Sequence, residues 1–356
     1  MSFTSPRLIC LSTVLVITTS SVTLAQHGVT GGGTIGGGTT KPATKPATTT
    51  PRRRTTTPVK RSATTSARKP ATTSADSFYQ QAETLYNAKK YNEALDLYLK
   101  ATDINPSMTA ALYRQGWIYN ELGNYPSAID ALKRVTASQP NNAAAQFELG
   151  YAHKKLDHHA EAVTAFSEAV RTSPNYTQAH YELAHALQNL SRYPEAIQAY
   201  QQAIRLDPNM GLAHLGLGDA YYDGMKNYAE AANSYKRALE LQPGNAVAQF
   251  RLGWCYNDLG RYAEAADELR KAIQITPNYP EAHNELGYAL HQLGRYQEAI
   301  QQYMIAIQQR PNYGSAHYNL AMTFLAVNNR NGALQQYRIL QRIDPDRATK
   351  LFNQIR

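Results

Sequence analysis

Residues 246–279 have the sequence AVAQFRLGWCYNDLGRYAEAADELRKAIQITPNY, and residues 280–313 have the sequence PEAHNELGYALHQLGRYQEAIQQYMIAIQQRPNY. The two stretches are copies of one unit, which recurs with prolines 34 residues apart and one interval of 35. The prolines are Pro106, Pro140, Pro174, Pro208, Pro243, Pro277, Pro311 and Pro345. A fixed period of this length is typical of a repeat protein.

Small residues recur with the same period as the prolines. Each unit has an alanine in phase, at Ala94, Ala128, Ala162, Ala196, Ala231, Ala265, Ala299 and Ala333. Only Gly or Ala stands twelve or thirteen residues earlier, at Ala82, Gly116, Gly150, Ala184, Gly218, Gly253, Gly287 and Ala321. A large residue follows the alanine by four, at Tyr98, Leu132, Phe166, Tyr200, Tyr235, Leu269, Tyr303 and Tyr337. Small residues let two helices approach closely and the large one fills the space beside them, so each unit is predicted to be a helical hairpin.

The ends of the predicted helices have their own signals. Gly123, Gly260 and Gly294 stand where a left-handed residue would end the first helix. The proline cannot continue the second helix, and Asn or Asp nearby can cap the next one. The unit that begins at Gly211 has one extra residue, which we expect in the turn between its helices, near residues 224–227.

With this spacing and these residues, the chain resembles the tetratricopeptide repeat family. Residues 280–313 carry the family pattern well, at Leu286-Gly287, Leu290, Ala299, Tyr303, Ala306 and Pro311. The resemblance implies an all-α fold, a right-handed superhelical solenoid of eight helix-turn-helix repeats. Four repeats have histidine where the family favours a large apolar residue, and we expect these side chains to be packing residues. They are His180, His214, His283 and His317.

The predicted organisation has four parts. A signal peptide spans 1–25 and a basic linker spans 26–74. The eight repeats span 75–108, 109–142, 143–176, 177–210, 211–245, 246–279, 280–313 and 314–345. A capping helix at 346–356 is expected to cover the last repeat with Ala348, Leu351, Phe352 and Ile355 facing inward.

The first 74 residues contain no acidic residue. Arg7, the apolar stretch 8–17 and Thr23-Leu24-Ala25 favour an export signal cleaved before Gln26, although an uncleaved anchor is the alternative. Residues 26–74 are rich in Gly, Thr and Pro and contain nine basic residues, which predicts a disordered linker attracted to anionic surfaces. We therefore expect an exported protein of the periplasm or cell envelope.

The overall charge of +9 comes from this N-terminal part. From residue 75 onward, 26 lysines and arginines stand against all 27 acidic residues, a net charge of −1. The repeats are therefore not predicted to bind a specific nucleic acid. Cys10 lies in the leader and Cys255 would be alone, which excludes a disulfide framework and favours a small buried residue at 255.

No catalytic constellation is visible, so the sequence predicts neither an enzyme nor a bound cofactor. His158 and His159 follow Asp157 in a turn between helices, where we expect solvated side chains rather than a metal site. The repeats themselves take up the chain after residue 74.

The resemblance implies that the first helices of the repeats form a concave surface, here called the groove. Side chains at the second, fifth, ninth and twelfth positions of a repeat are expected to face it. The large rings among them are expected to bind a protein or peptide, because rigid rings give contact area at little entropic cost. The predicted groove residues are Tyr113, Trp117, Phe147, Tyr151, Tyr181, His185, Tyr222, Phe250, Trp254, Tyr288 and Tyr318.

The predicted function is a scaffold or adaptor of the cell envelope that binds protein segments in the groove. Two other hypotheses remain open: an accessory subunit of an envelope enzyme, such as a glycosyltransferase or secretion complex, and a carbohydrate binder. Two binding modes of the family lack their residues here. The fifth position of a repeat is never the lysine that a carboxylate clamp requires, and the sixth positions do not form an asparagine ladder.

Overall fold

The computed structural model describes residues 74–356, and their regular elements are seventeen α-helices and one π-helix. The helices are α1 (Ala75–Asn87), α2 (Tyr91–Ile104), α3 (Thr109–Glu121), α4 (Tyr125–Ser138), α5 (Ala143–Lys155), α6 (His159–Thr172), α7 (Thr177–Asn189), α8 (Tyr193–Leu206), α9 (Gly211–Asp219), the π-helix (Ala220–Met225), α10 (Tyr228–Leu241), α11 (Ala246–Asp258), α12 (Tyr262–Ile275), α13 (Pro280–Gln292), α14 (Tyr296–Gln309), α15 (Gly314–Ala326), α16 (Arg330–Ile343) and α17 (Pro345–Ile355).

These helices form a solenoid of eight hairpins followed by a capping helix, as the sequence predicts. Each helix packs on the next along the chain, from α1 and α2 to α16 and α17. First helices of neighbouring hairpins also touch, as α3 touches α5 and α11 touches α13. Each hairpin thus contacts its neighbours in sequence, which is the packing of a repeat protein.

The small and large residues of the repeat meet as predicted. All eight in-phase alanines have no exposed surface. A Cβ atom added to Gly116 would lie 2.5 Å from Cγ of Leu132, and one added to Gly150 would lie 2.7 Å from the Phe166 ring. The two helices of a hairpin therefore approach closely at the glycine of the first helix, and the large residue of the second helix occupies the space that a side chain would need.

The turns between paired helices share one backbone conformation. Gly123, Gly260 and Gly294 have φ between 72° and 75°, the left-handed region predicted for them. Other residues adopt it in the remaining five turns: Lys89, Asp157, Ser191, Lys226 and Asn328. The turn geometry is thus a property of the hairpin rather than of glycine alone.

The position predicted for the extra residue of the fifth repeat is wrong. It lies in the π-helix at the end of the first helix, before the left-handed residue Lys226. A π-helical turn takes one more residue than an α-helical turn and leaves the following turn unchanged. The π-helix brings Gly224 against Tyr193 of the preceding hairpin, where an added Cβ would lie 2.1 Å from the ring.

The C-terminal cap differs from its prediction in two details. Pro345 begins α17 instead of closing the last repeat, since proline fits the first position of a helix. Ala348, Leu351 and Ile355 are buried as predicted, but Phe352 is 38% exposed. Phe352 lies at the edge of the buried stripe and stacks on Tyr337, with 5.6 Å between ring centroids.

The four repeat histidines do more than pack. In each, Nε2 lies within 3.3 Å of the carbonyl oxygen of the proline six residues before it, to which it donates. His214, His283 and His317 are buried, and His180 is half-buried. Each histidine thereby ties the start of a first helix to the end of the preceding repeat. Cys255 is buried as predicted and lies 2.9 Å from the carbonyl oxygen of Tyr228.

The predicted signal peptide (1–25) and all but the last residue of the predicted linker (26–74) lie outside the described residues. That last residue, Ser74, caps α1 by accepting a hydrogen bond from the backbone N–H of Ser77. Within residues 74–356, none of the helices has the length and apolar character needed to cross a membrane.

Candidate functional site

The eleven predicted groove residues all lie on first helices, with Tyr222 in the π-helix that extends one of them. Most of these side chains are half-buried, so part of each ring remains open to a ligand. Tyr222 and Phe250 are more enclosed, with 7% exposed, and His185 is the most open. Whether these residues bind a ligand stays a prediction; the structure shows where they lie and what they contact.

Trp117 lies in a cluster of three rings. Its indole contacts Tyr86 of the preceding first helix, with 5.1 Å between centroids, and Tyr91 at the start of α2, with 5.4 Å. Both contacts are edge to face, an arrangement that aromatic rings favour. Arg114 lies over the Tyr86 ring, 4.2 Å from its centroid, and its guanidinium donates to both carboxylate oxygens of Glu83 at 2.9 and 3.1 Å.

Trp254 lies in a second cluster. Its indole contacts Tyr222 at 5.4 Å and Phe250 at 5.6 Å between centroids. Tyr222 in turn contacts Tyr228 at 5.2 Å, and Phe250 contacts Tyr279 at 4.9 Å. The structure therefore brings together three of the predicted residues, Tyr222, Phe250 and Trp254, on neighbouring first helices.

The other predicted rings contact residues outside the predicted set. Centroids are 5.0 Å apart for Phe147 and Tyr176, 6.0 Å for Tyr181 and Tyr200, and 6.2 Å for Tyr288 and Tyr262. Tyr113 and Tyr318 pack at the edges of separate hydrophobic clusters.

Tyr151 is the predicted ring most closely surrounded by cations. The ammonium groups of Lys155 and Lys154 lie 5.2 and 5.6 Å from its centroid. His185 lies 3.1 Å from the side-chain amide of Asn189 in the same helix. Desolvation by neighbouring side chains lowers the pKa of His185 although part of its ring is exposed, and the charge of Lys154 acts in the same direction.

Ion pairs join neighbouring first helices beside these rings. Glu83 pairs with Arg114 across the first two hairpins, and Lys154 pairs with Glu182 at 2.6 Å across the third and fourth. The Arg251 guanidinium lies 3.7 Å from the Asp219 carboxylate across the fifth and sixth. Tyr235 of the second helix donates to the same carboxylate at 2.8 Å.

Two asparagines make the same kind of bridge. The side-chain amide of Asn120 donates to the carbonyl oxygen of Glu148 at 3.1 Å and to its carboxylate at 2.8 Å. Asn257 donates to the equivalent atoms of Glu285 at 3.1 and 3.2 Å. The sequence analysis missed all of these bridges. The sequence does contain a pattern that could have predicted them. In each bridge a polar residue at the sixth position of one repeat pairs with a polar residue at the ninth or twelfth position of the preceding repeat.

Glu148 is a first-helix carboxyl with a raised pKa. Burial raises the pKa of its carboxyl to about 7, the negative charge of Glu121 acts in the same direction, and the Asn120 hydrogen bond opposes them. Its charge in turn adds to the effect of burial in raising the pKa of Tyr113 to about 12. Glu148 therefore titrates in the neutral range, where a bound cation would shift its protonation.

The groove side of the solenoid is acidic. The first helices, with the π-helix, contain ten acidic and four basic residues, a net charge of −6. The acidic residues are Asp76, Glu83, Glu121, Glu148, Glu182, Asp219, Asp223, Asp258, Glu281 and Glu285, and the basic ones are Arg114, Lys154, Lys155 and Arg251. The eight second helices contain thirteen acidic and twelve basic residues, a net charge of −1.

Within residues 74–356, no group of three or more His, Cys, Asp or Glu side chains is arranged to hold a metal ion. His158 is exposed, as predicted, and lies 5.8 Å from the His153 ring. His159 begins α6 half-buried, with its Nε2 atom 3.8 Å from the Asp157 carboxylate.

Family models match most of the solenoid. A model described as TPR repeat matches residues 190–224, 255–294 and 287–328, and models described as tetratricopeptide repeat match 113–177, 213–245 and 234–266. This chain is a tetratricopeptide repeat protein. A model of subunit 3 of the anaphase-promoting complex also matches residues 62–135. A comparison with curated proteins found no match.

Several solved structures are similar to this chain. The C-terminal part of a repeat protein from Cytophaga hutchinsonii has a TM-score of 0.57 and 19% identity, and the match covers 68% of this chain and 99% of that one. PilF of Pseudomonas aeruginosa has a TM-score of 0.51 and 20% identity, and the match covers 60% of this chain and 97% of that one. The MamA protein has a TM-score of 0.46 and 26% identity, and the match covers 48% of this chain and 92% of that one.

Proposed function

We propose that this tetratricopeptide repeat protein is an interaction scaffold that holds segments of other proteins in its groove and catalyses no reaction itself. The observation that carries the proposal is the series of half-buried rings along the first helices, which includes both tryptophans of the chain. Stacked hairpins offer an extended surface for binding. Trp, Tyr and Arg are the residues that most often dominate binding energy at such surfaces.

The groove is also preorganised. The ion pair of Glu83 and Arg114 and the bridge from Asn120 to Glu148 fix neighbouring first helices relative to each other. Rings held in place by such contacts lose little entropy when a ligand binds, so more of the contact energy remains as affinity. Most of the conformational entropy lost on binding would then be that of a flexible ligand segment.

The proposed location is the cell envelope or the periplasm of a bacterium. It rests on the sequence of the first 74 residues, which predicts an export signal and then contains nine basic residues and no acidic ones. Basic residues near anionic headgroups or acidic cell-wall polymers add electrostatic affinity.

A crosslinking pull-down from the native envelope tests the proposal. The wild-type protein is compared with a Trp117→Ala/Trp254→Ala variant and with a control variant, Leu99→Ala/Met304→Ala. The control changes two exposed apolar side chains of the second helices, α2 and α14. Circular dichroism establishes that all three proteins are folded.

Partners that are lost in the tryptophan variant and retained in the control variant support the groove as the binding site. A single enzyme recovered in equal amounts with the scaffold would identify an accessory subunit. Capture that is the same in all three proteins contradicts the proposal and directs attention to the second helices or the N-terminal part.

A further inference from the structure

We infer that the groove contains two equivalent subsites, four repeats apart, and that each binds a lysine or arginine side chain of a partner protein. The inference rests on the proposed function and specifies the chemistry of the partner. The subsites are named here after Trp117 and Trp254. Each is formed by three consecutive first helices, from the first to the third repeat and from the fifth to the seventh.

The first shared feature is an ion pair in the same place. Arg114 pairs with Glu83 in the Trp117 subsite, and Arg251 pairs with Asp219 in the Trp254 subsite. In both subsites a tyrosine of the second helix donates to that carboxylate: Tyr98 to Glu83, and Tyr235 to Asp219. Each arginine is thus engaged by an acidic residue of the preceding helix.

The second shared feature is the aromatic cluster. The Trp117 ring contacts Tyr86, and Tyr86 contacts the first tyrosine of the next helix at 5.7 Å. Trp254 contacts Tyr222, which contacts the corresponding Tyr228 at 5.2 Å. In each subsite the tryptophan therefore lies against a tyrosine of the preceding hairpin that is itself in contact with a second tyrosine.

The third shared feature is the asparagine bridge, from Asn120 to Glu148 in one subsite and from Asn257 to Glu285 in the other. In addition, each asparagine is followed by an acidic residue, Glu121 or Asp258. The same atoms are joined over the same 28-residue separation in both cases.

Repetition of the fold alone does not produce this match. The two tryptophans occupy the ninth position of their repeats, and the residue there is Tyr151 in the third repeat, His185 in the fourth and Met322 in the eighth. The position of the two asparagines is Lys154, Gln188 and Leu325 in those repeats. Of the eight repeats, the combination of tryptophan and asparagine occurs in the second and the sixth.

The chemistry of each subsite suits a cation. At the positions that the two subsites share, the Trp117 subsite has Glu83, Glu121 and Glu148 against Arg114, a charge of −2 when all are ionised, although the same helices also carry Asp76, Lys154 and Lys155. At the same positions the Trp254 subsite has Asp219, Asp258 and Glu285 against Arg251, and its helices also carry Asp223 and Glu281. An aromatic ring beside carboxylates is the environment that binds lysine and arginine side chains, through cation–π contacts and charge-assisted hydrogen bonds.

The net charge of −6 on the first helices favours the same partner, because a basic segment is attracted to the groove over its whole length. Two equivalent subsites on one chain also predict a stoichiometry. A short segment with one basic motif binds twice per scaffold. A partner with two motifs and a linker that spans the subsites binds once and more tightly.

The two tryptophans allow the subsites to be observed separately, since the chain contains no others. In the Trp254→Phe variant only Trp117 fluoresces, and in the Trp117→Phe variant only Trp254 does. The probe is a capped octapeptide of alternating alanine and lysine, and its counterparts with glutamate or glutamine in place of lysine are the controls. Isothermal titration calorimetry of the wild-type protein gives the stoichiometry.

We expect the lysine peptide to change the emission of both single-tryptophan variants, with affinities within about threefold of each other, and to bind twice per chain. The glutamate and glutamine peptides leave both emissions unchanged. The Glu121→Gln/Glu148→Gln pair, added to the Trp254→Phe variant, abolishes the Trp117 response, and the same pair added to the Trp117→Phe variant leaves the Trp254 response intact.

A response from one tryptophan alone, or a stoichiometry of one, contradicts the equivalence of the subsites. A response to the glutamate or glutamine peptide but not to the lysine peptide contradicts the cationic partner and leaves the proposed function standing. No response to any peptide overturns the inference, while loss of partners from the tryptophan variant in the pull-down would still support the groove as a protein-binding site.

Discussion

The indole of Trp117 meets the ring of Tyr86 edge to face, with 5.1 Å between centroids, although the two residues belong to different hairpins. The contact shows how a repeat protein builds a binding surface. One hairpin supplies the tryptophan, its neighbour supplies the tyrosine, and the packing between hairpins sets their separation. Changes in the packing between hairpins are therefore expected to reach the groove.

Close approach within a hairpin is tested by Gly116→Val. An added Cβ at Gly116 would lie 2.5 Å from Cγ of Leu132, so the larger side chain forces the helices apart. We expect a loss of about 1–3 kcal/mol in the free energy of unfolding, measured by urea denaturation. The matched control is Gly244→Val, because nothing lies within 4 Å of an added Cβ at Gly244. Equal losses for both variants would contradict this account of the packing.

The bridge between the fifth and sixth hairpins is tested by Arg251→Leu. Burial raises the pKa of Asp219, and the positive charge of Arg251 is the largest influence that opposes burial. Removing that charge leaves a partly buried carboxylate without its cation, and we expect a loss on the order of 1 to 3 kcal/mol in thermal or urea unfolding.

The control for this variant is Arg237→Leu, which removes the exposed pair of Arg237 and Glu240. Exposed pairs contribute about 1 kcal/mol or less. A loss for Arg251→Leu no larger than that of the control would show that the bridge does not stabilise the solenoid.

Glu148 predicts a pH dependence of stability. Its pKa is about 7 in the folded protein, above the ordinary value of 4.5, so the folded chain holds a proton that the unfolded chain has lost between these pH values. Stability therefore falls as the pH rises from about 4.5 to 7, and the loss is complete above that range. Glu148→Gln is expected to remove this fall and to gain on the order of 1 to 3 kcal/mol at pH 8 relative to wild type.

Comparing thermal unfolding of the two proteins at pH 4 and pH 8 measures this effect, since other titrating groups cancel in the difference. Glu168→Gln, which changes an exposed carboxylate in α6, serves as the control. A stability difference between wild type and Glu148→Gln that does not change with pH would contradict the raised pKa.

The same carboxyl predicts how pH affects binding at the Trp117 subsite. A lysine side chain beside Glu148 favours the ionised form, so binding releases a proton and the affinity rises with pH. The side chains that face this carboxyl from the neighbouring segments are those of Asn120, Glu121, Tyr113 and Tyr176. We expect the lysine octapeptide to bind the Trp254→Phe variant about threefold to tenfold more tightly at pH 8 than at pH 6. Adding Glu148→Gln should make the affinity independent of pH, and a persistent dependence would exclude Glu148 as its source.

Much of the fold can be predicted from the sequence, because the residues that pack together within a hairpin recur in every repeat. Gly150 and Phe166 recur at fixed spacing, and the structure places them in contact. The π-helix could not be located, since one extra residue fits equally well in a turn or in a helix, and the contact of Gly224 with Tyr193 becomes visible only in three dimensions. Phe352 was predicted to face inward, but it lies at the edge of the buried stripe of α17. The burial of a side chain at that edge depends on the preceding helix, which the pattern of α17 alone does not show.

The groove was predicted less completely than the fold. Periodicity selects the ring positions, but the degree of enclosure depends on neighbours in other repeats, so Phe250 is more buried than Phe147 at the same position. The bridges that accompany the rings join residues about 30 positions apart, as Asn120 and Glu148 do. A pattern examined one repeat at a time does not show them.

Photo-crosslinking from two exposed side chains tests the central claim most directly. A photoreactive residue replaces either Leu212, 51% exposed on the first helix α9, or Met304, 56% exposed on the second helix α14. In native envelope extracts, we expect Leu212 to crosslink a defined protein, Met304 to crosslink none, and the Leu212 product to disappear when Trp254→Ala is added. Crosslinks from Met304 with none from Leu212 would show that partners bind the second helices, and the groove would then not be the binding site.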